Sequence, residues 1–171
     1  RRMPLVLQAA HTGQAGSTAA SRRRGRGTRD PEFPTNEPSR DAPARATEQL
    51  GTVWELMNTA VKPYPSCRYG HAAIDAAIAL RAELGLKAEE IERATIGLPA
   101  KGMLLVGAPA EKNANPQNVV DGQFSGPFVV GTALATGGMG WDSYALLQDS
   151  TVRALLPKIA CEQDAEIEAE F

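Results

Sequence analysis

The chain has 171 residues, a formal net charge of −2, 43% hydrophobic and 22% charged residues, and a mean hydropathy of −0.26. That length suits one domain with a real core; no apolar run approaches the ~18 residues of a membrane span, and the overall charge is not that of a nucleic-acid binder. Two cysteines, Cys67 and Cys161, do not make a disulfide framework and suit a reducing compartment. No C-x-x-C and no His pair at i, i+4 supports a metal site.

The charge is unevenly spread. Residues 1–50 hold 9 Arg, no Lys and 5 acids, whereas residues 51–171 hold 9 Lys and Arg together against 15 acids. Such a split marks two segments under different constraints. Residues 1–46 combine an arginine-glycine run, SRRRGRGTRD, with the proline-rich PEFPTNEPSRDAPAR. Without a sustained apolar period they cannot offset chain entropy, and the expectation is a disordered segment followed by one domain over residues 47–171. Residues 1–29 are acid-free and rich in Arg and Ser, as organelle transit peptides are. RRRGRG could hold RNA electrostatically, though no aromatic is interleaved with it. The plainest reading is an unstructured or misassigned terminus, since the chain opens on Arg1 and not on methionine, as a fragment would.

In chain order, WELMNTAVKPYP (54–65) reads as an extended segment, because Pro63 and Pro65 push their neighbours out of the helical region. HAAIDAAIALRAEL (71–84) reads as a helix with Ile74, Ala77, Ile78 and Leu84 on one face and Asp75, Arg81 and Glu83 towards water. Gly85 is its stop. IERATIGLP (91–99) alternates as a half-buried strand, with Ala94, Ile96 and Leu98 on one side. A helical turn at 101–107 and a loop at 108–116 follow, and Asn115-Pro116 looks like a cap leading into a helix. Ser125 caps the next run, FVVGTALATG, which Gly137-Gly138 stops; these glycines form no phosphate loop, lacking G-K-[ST]. WDSYALLQ (141–148) and STVRALLPKIA (150–160) are two more helices, the second capped by Ser150. AEIEAEF (165–171) alternates like a strand that stops abruptly, as a truncated one would, with its acids on a solvated face. Strand, helix, strand, helices, strand is an α+β domain.

One stretch stands apart: KPYPSCRYGH (62–71) gathers a lysine, a thiol, a guanidinium and an imidazole beside a helix start. At its plainest it is a rigid corner with His71 in the first helical turn. Its chemistry also converges on a polycarboxylate pocket. Lys62 and Arg68 are fixed cations, and Arg fits a carboxylate with two prongs. The helix N-terminus adds N–H donors and a positive potential that keeps His71 neutral and able to accept a proton. Cys67 either lines such a pocket or packs as a small buried side chain.

This stretch, with its continuation HAAIDAAIALRAELGL, and the segments IERATIGLP, NPQNVVDGQFSGPFVVGTAL and DSTVRALLPKI, resembles the MmgE/PrpD family. That family includes 2-methylcitrate dehydratase, cis-aconitate decarboxylase and iminodisuccinate epimerase. The likeness runs from about Gly51 to Phe171 with the pieces in family order, and leaves out residues 1–46. It implies that the chain is the smaller α+β lid of a two-domain enzyme, truncated at its last strand, whose active site lies between the lid and a larger helical domain. In that family the lid supplies the lysine of a K-x-Y-P motif, matched by Lys62, and a histidine matched by His71. Five residues after the lysine some relatives carry a histidine where this chain has Cys67. The helical domain's own Asp-rich segment, histidine and lysine match nothing in residues 1–50.

The resemblance therefore implies a lyase or isomerase of small di- or tricarboxylates, 2-methylcitrate dehydratase-like and tied to propionate catabolism. It implies no metal or cofactor, a homodimer at full length, and a cytoplasmic or mitochondrial-matrix setting. Catalysis would fall to Lys62 and His71 and substrate binding to Arg68 and Cys67, with the isolated chain inactive. A non-catalytic dimerisation domain of the same fold is the alternative, and a basic-tailed nucleic-acid binder a more distant one.

Overall fold

The computed structural model describes residues 3–8 and 49–170. Of these, residues 3–8 and 62–170 form one compact unit and residues 49–61 belong to a second.

The first unit is built on a three-stranded parallel sheet in the order β1-β2-β3. β1 is Met3–Gln8, β2 is Ile91–Leu98 and β3 is Ile159–Gln163. Leu5 pairs with Ala94 and Leu7 with Ile96, while Ala94 and Ile96 pair on the other side with Ile159 and Cys161. Parallel neighbours need long crossovers, and helices supply them here. The first crossover contains α1 (His71–Leu84). The second contains α2 (Ala100–Gly102), which runs into a π-helical turn at Met103–Gly107, then α3 (Ala110–Asn113), α4 (Val119–Gln123), α5 (Gly126–Thr136), a 3₁₀ segment at Trp141–Gln148, and α6 (Ser150–Leu155). After β3 the chain closes with α7 (Ala165–Glu170). The fold is α+β, as the sequence predicts.

α5 is the spine of the core. Gly126 to Leu134 are all buried, and Phe128, Val130, Ala133 and Leu134 are wholly inaccessible. A helix that is apolar all round sits inside a layered domain. Gly126 brings it against the sheet: a Cβ there would stand 2.9 Å from Cys161 Sγ and 3.6 Å from Ile96 Cδ1. The opposite face of β2 meets α7, where a Cβ on Gly97 would stand 3.0 Å from Ile167 Cδ1. α1 packs on α5 and on β1, and its Ala73, Ile74 and Ala77 have no exposed area. Arg81 ties the C-terminal ends of both helices together by donating to the carbonyls of Leu86 (3.0 Å) and Leu134 (2.7 Å).

Several expectations hold. α1 has the predicted bounds and ends on Gly85 at φ 61°. Ala94, Ile96 and Leu98 are buried on β2. Ser125 caps α5, and Gly137 stops it at φ 85°.

Others are corrected. Residues 3–8, placed by composition in a disordered tail, form the edge strand β1, because Leu5 and Leu7 alternate into the core and an edge tolerates Pro4. The remainder of that expectation, residues 1–2 and 9–46, lies outside the described residues, as does the domain boundary at residue 47. Residues 54–65 do not begin as an extended run: in the second unit, Glu55–Asn58 is a 3₁₀ turn. It follows a turn in which Gln49 O accepts the N–H of Thr52 and of Val53. On α1, Leu84 is exposed and Arg81 half-buried, the reverse of the predicted facing. The cap before α4 is Asn118 and not Asn115, and the cap of α6 is Asp149 and not Ser150. Residues 108–116, read as a loop, contain α3. Residues 159–160, read as the end of a helix, open β3, and residues 165–170, read as a strand, are α7. Asp164 caps α7 by accepting from the N–H groups of Glu166 and Ile167, and Ala and Glu favour helix when only Ile167 faces inward.

Candidate functional site

The segment from Lys62 to α1 is a short corner fastened by its own backbone. The hydroxyl of Tyr144 donates to Pro65 O at 2.6 Å. The N–H of Cys67 donates to Gln123 O at 2.9 Å, which pins the corner to the end of α4. A 3₁₀ turn at Arg68–Gly70 then leads into α1. Gly70 is a close approach to α5: a Cβ would stand 3.2 Å from Val129 Cγ2. Tyr69 packs on α2, its ring 3.1 Å from where a Cβ on Gly102 would lie.

His71 is the first residue of α1 and is buried, at 8% exposure. Its Nε2 lies 3.2 Å from Ser66 O. A carbonyl can only accept, so Nε2 carries the hydrogen, and the lone pair of the neutral ring resides on Nδ1. The Tyr64 ring meets the imidazole edge-on, with centroids 5.4 Å apart at 79°. The Tyr64 hydroxyl donates to the Asp75 carboxylate, one turn along α1 from His71.

Burial pushes the His71 pKa below its ordinary 6.5, and the positive charges of Lys62 and Arg68 add to the effect; the Ser66 hydrogen bond and Asp75 oppose it. The direction agrees with the sequence reading, but burial leads, ahead of neighbouring positive charge. A neutral imidazole able to accept a proton is the outcome. Burial, then the hydrogen bond to Asp75, pushes the Tyr64 phenol up to about 12, so it remains a donor.

The structure thus gathers all four predicted residues at one corner. His71 is its buried centre, Lys62 and Arg68 are exposed with fields that reach the ring, and Cys67 is half-buried and free. The sequence reading overlooked Tyr64, Ser66 and Asp75. The four-residue spacing of His71 and Asp75 on one helix was the signal available. Among the described residues, no group of three or more His, Cys, Asp or Glu could hold a metal ion. None of their helices is long and apolar enough to cross a membrane.

The profile of the MmgE/PrpD C-terminal domain matches residues 64–171. The chain belongs to the MmgE/PrpD family. The matched span starts at Tyr64, so it takes in Cys67, Arg68 and His71 and stops two residues short of Lys62. It also takes in everything that fastens the corner, from Pro65 to Tyr144. A search of curated proteins gives no match to this MmgE/PrpD chain.

Proposed function

We propose that the corner at residues 62–71 is one wall of the active site of a lyase or isomerase acting on a small di- or tricarboxylate, with 2-methylcitrate dehydration the leading example. The observation that carries this reading is a buried, neutral His71 flanked by two cations within an MmgE/PrpD C-terminal domain. Nδ1 of His71 takes a proton from carbon next to a substrate carboxylate. Lys62 and Arg68 hold carboxylates and stabilise the negative charge that builds up as that proton leaves. Cys67 lines the pocket beside them. Water loss, decarboxylation or epimerisation then depends on which group leaves and from where a proton returns.

The reading predicts no turnover of 2-methylcitrate, cis-aconitate or iminodisuccinate by this chain alone, because catalytic groups acting as a unit lose nearly everything when part of the set is missing. Joined to a helical domain of the family, the chain turns over one of the three. Lys62→Ala then lowers kcat/KM by more than about 100-fold, roughly 2.7 kcal/mol of transition-state stabilisation. Lys62→Arg restores part of the loss, a planar fork replacing a point charge. A joined enzyme in which Lys62→Ala is as fast as the parent refutes the assignment.

A second reading, a non-catalytic interaction domain, draws on the exposed apolar side chains Val120, Phe124 and Trp141. It predicts reversible self-association of this chain in sedimentation, with no activity in any joined form.

A further inference from the structure

We infer that Tyr64 and Asp75 are positioning residues for His71: the Tyr64 hydroxyl occupies the Asp75 carboxylate while its ring braces the imidazole, so that Nε2–H stays on the Ser66 carbonyl and Nδ1 is the proton-accepting atom. The inference rests on the proposed role of His71 as a base and specifies which atom acts and what keeps it available.

The argument begins with spacing. A histidine and a carboxylate four residues apart on a helix are neighbours, and left to themselves they form an ion pair that raises the histidine's affinity for a proton. A base intended to work from the neutral form must be kept from that pairing. Here Asp75 is engaged elsewhere, by the Tyr64 hydroxyl, from a segment outside the helix. Tyr64 can serve because Pro63 and Pro65 stiffen its backbone and Pro65 O is held by Tyr144. Its ring, edge-on at 5.4 Å, blocks rotation of the imidazole away from Ser66 O. The groups that act on the His71 charge are then few. Lys62 and Arg68 disfavour the protonated form, and Asp75 favours it. Among the described residues, the elements that make most contact with α1, β1 and α5, carry no titratable side chain, and the turn before α1 adds only Cys67, Arg68 and Tyr69.

Nitrogen-15 NMR of the 171-residue chain, labelled at histidine, reads this directly. The chain has only two histidines, and His11→Gln identifies the His71 signals. The wild-type ring is expected in the Nε2–H form, titrating below 6.5. Tyr64→Phe keeps the ring and removes the hydroxyl. Asp75 is then free to accept from Nδ1–H, so the titration midpoint moves up and the Nδ1–H form gains. In Tyr64→Phe/Asp75→Asn the midpoint returns to the wild-type value or below, because no carboxylate remains to pair. A wild-type ring in the Nδ1–H form, or a Tyr64→Phe midpoint and tautomer identical to wild type, overturns the inference. Since the tautomer is read in the wild-type chain, the result does not depend on any variant folding. Failure of the lyase reading would appear separately, as a joined enzyme that turns over none of the three substrates while the NMR behaviour stands. In an active joined enzyme, Tyr64→Phe shifts the acid limb of the pH profile of kcat/KM upwards and Tyr64→Phe/Asp75→Asn brings it back, a reversal that simple loss of packing does not produce.

Discussion

Ser125→Ala tests how the core spine is anchored. The Ser125 side chain is 1% exposed and makes two bonds at once. Its Oγ accepts the N–H of Phe128 at 3.0 Å, which caps α5, and its hydroxyl donates to Asn113 O, which ties α3 to α5. Loss of a cap costs about 1 kcal/mol. Loss of the donor leaves a buried carbonyl unpaired, a penalty of roughly 1–3 kcal/mol. The two act on different atoms, so the expected destabilisation is about 2–4 kcal/mol. For a unit of this size that lowers Tm by about 4 °C per kcal/mol. Urea unfolding followed by far-UV circular dichroism measures it, with Asp149→Ala and Ser150→Ala as comparisons. Asp149 Oδ1 accepts from the N–H groups of Thr151 (2.9 Å) and Val152 (3.0 Å), and its removal is expected to cost about 1 kcal/mol. Ser150 is exposed, and its removal stays within about 0.5 kcal/mol. A Ser125→Ala variant within 0.5 kcal/mol of wild type, or a Ser150→Ala variant weaker than Asp149→Ala, would refute the capping assignments.

Further outcomes follow from the same packing. Ile74→Ala, at a wholly inaccessible position on α1, should destabilise by about 2–5 kcal/mol in denaturant melts, with Ile78→Ala well below it because Ile78 is only half-buried. Arg81→Ala removes two charge-assisted bonds to helix-end carbonyls and should cost about 2 kcal/mol, which Arg81→Lys recovers only in part. The pKa of His71 is lower in the folded chain than its ordinary 6.5, so the unfolded chain binds the proton more readily. Stability from this source is complete above 6.5 and declines as pH falls below it towards the folded value. Melts between about pH 5 and 8 should show that decline in wild type and a shallower one in His71→Asn.

What the sequence made legible is what local rules decide. α1 is bounded by a corner and a left-handed glycine, and α5 by Ser125 and Gly137, so both could be read from neighbours in the chain. β2 announces itself by alternation. β1 could not be found this way, since six residues with two inward leucines are swamped by the surrounding arginine and proline, and only pairing with β2 at a separation of more than eighty residues reveals them. α7 fails for the opposite reason: AEIEAE satisfies a period of two and of 3.6 equally well, and the capping Asp164 decides between them. Asn115 and Ser150 were plausible caps one turn or one residue from the true ones, an offset that pattern alone does not resolve. At the candidate site the charged and nucleophilic groups were legible as residue types. Asp75 was read as solvent-facing and is exposed; what the helix pattern could not show is its bond to Tyr64, which lies outside the helix.

The construction of the corner decides how cleanly its chemistry can be tested. The bonds that fix it use main-chain atoms: Pro65 O, Ser66 O, the N–H and carbonyl of Cys67, and the N–H of Gly70. The side chains of Lys62 and Arg68 point into solvent, where exposed charges contribute little to stability, about 0–1 kcal/mol. Replacing them should therefore leave the corner in place. Arg68→Ala is expected to melt within about 0.5 kcal/mol of wild type and yet to lower kcat/KM of a joined enzyme through carboxylate binding. Cys67→Ser retains the backbone bonds to Gln123 and Gly70 and changes one half-buried atom, so activity should stay within about tenfold. Equal losses of stability and activity in Arg68→Ala would mean that Arg68 holds the corner together, and would remove it from the substrate wall.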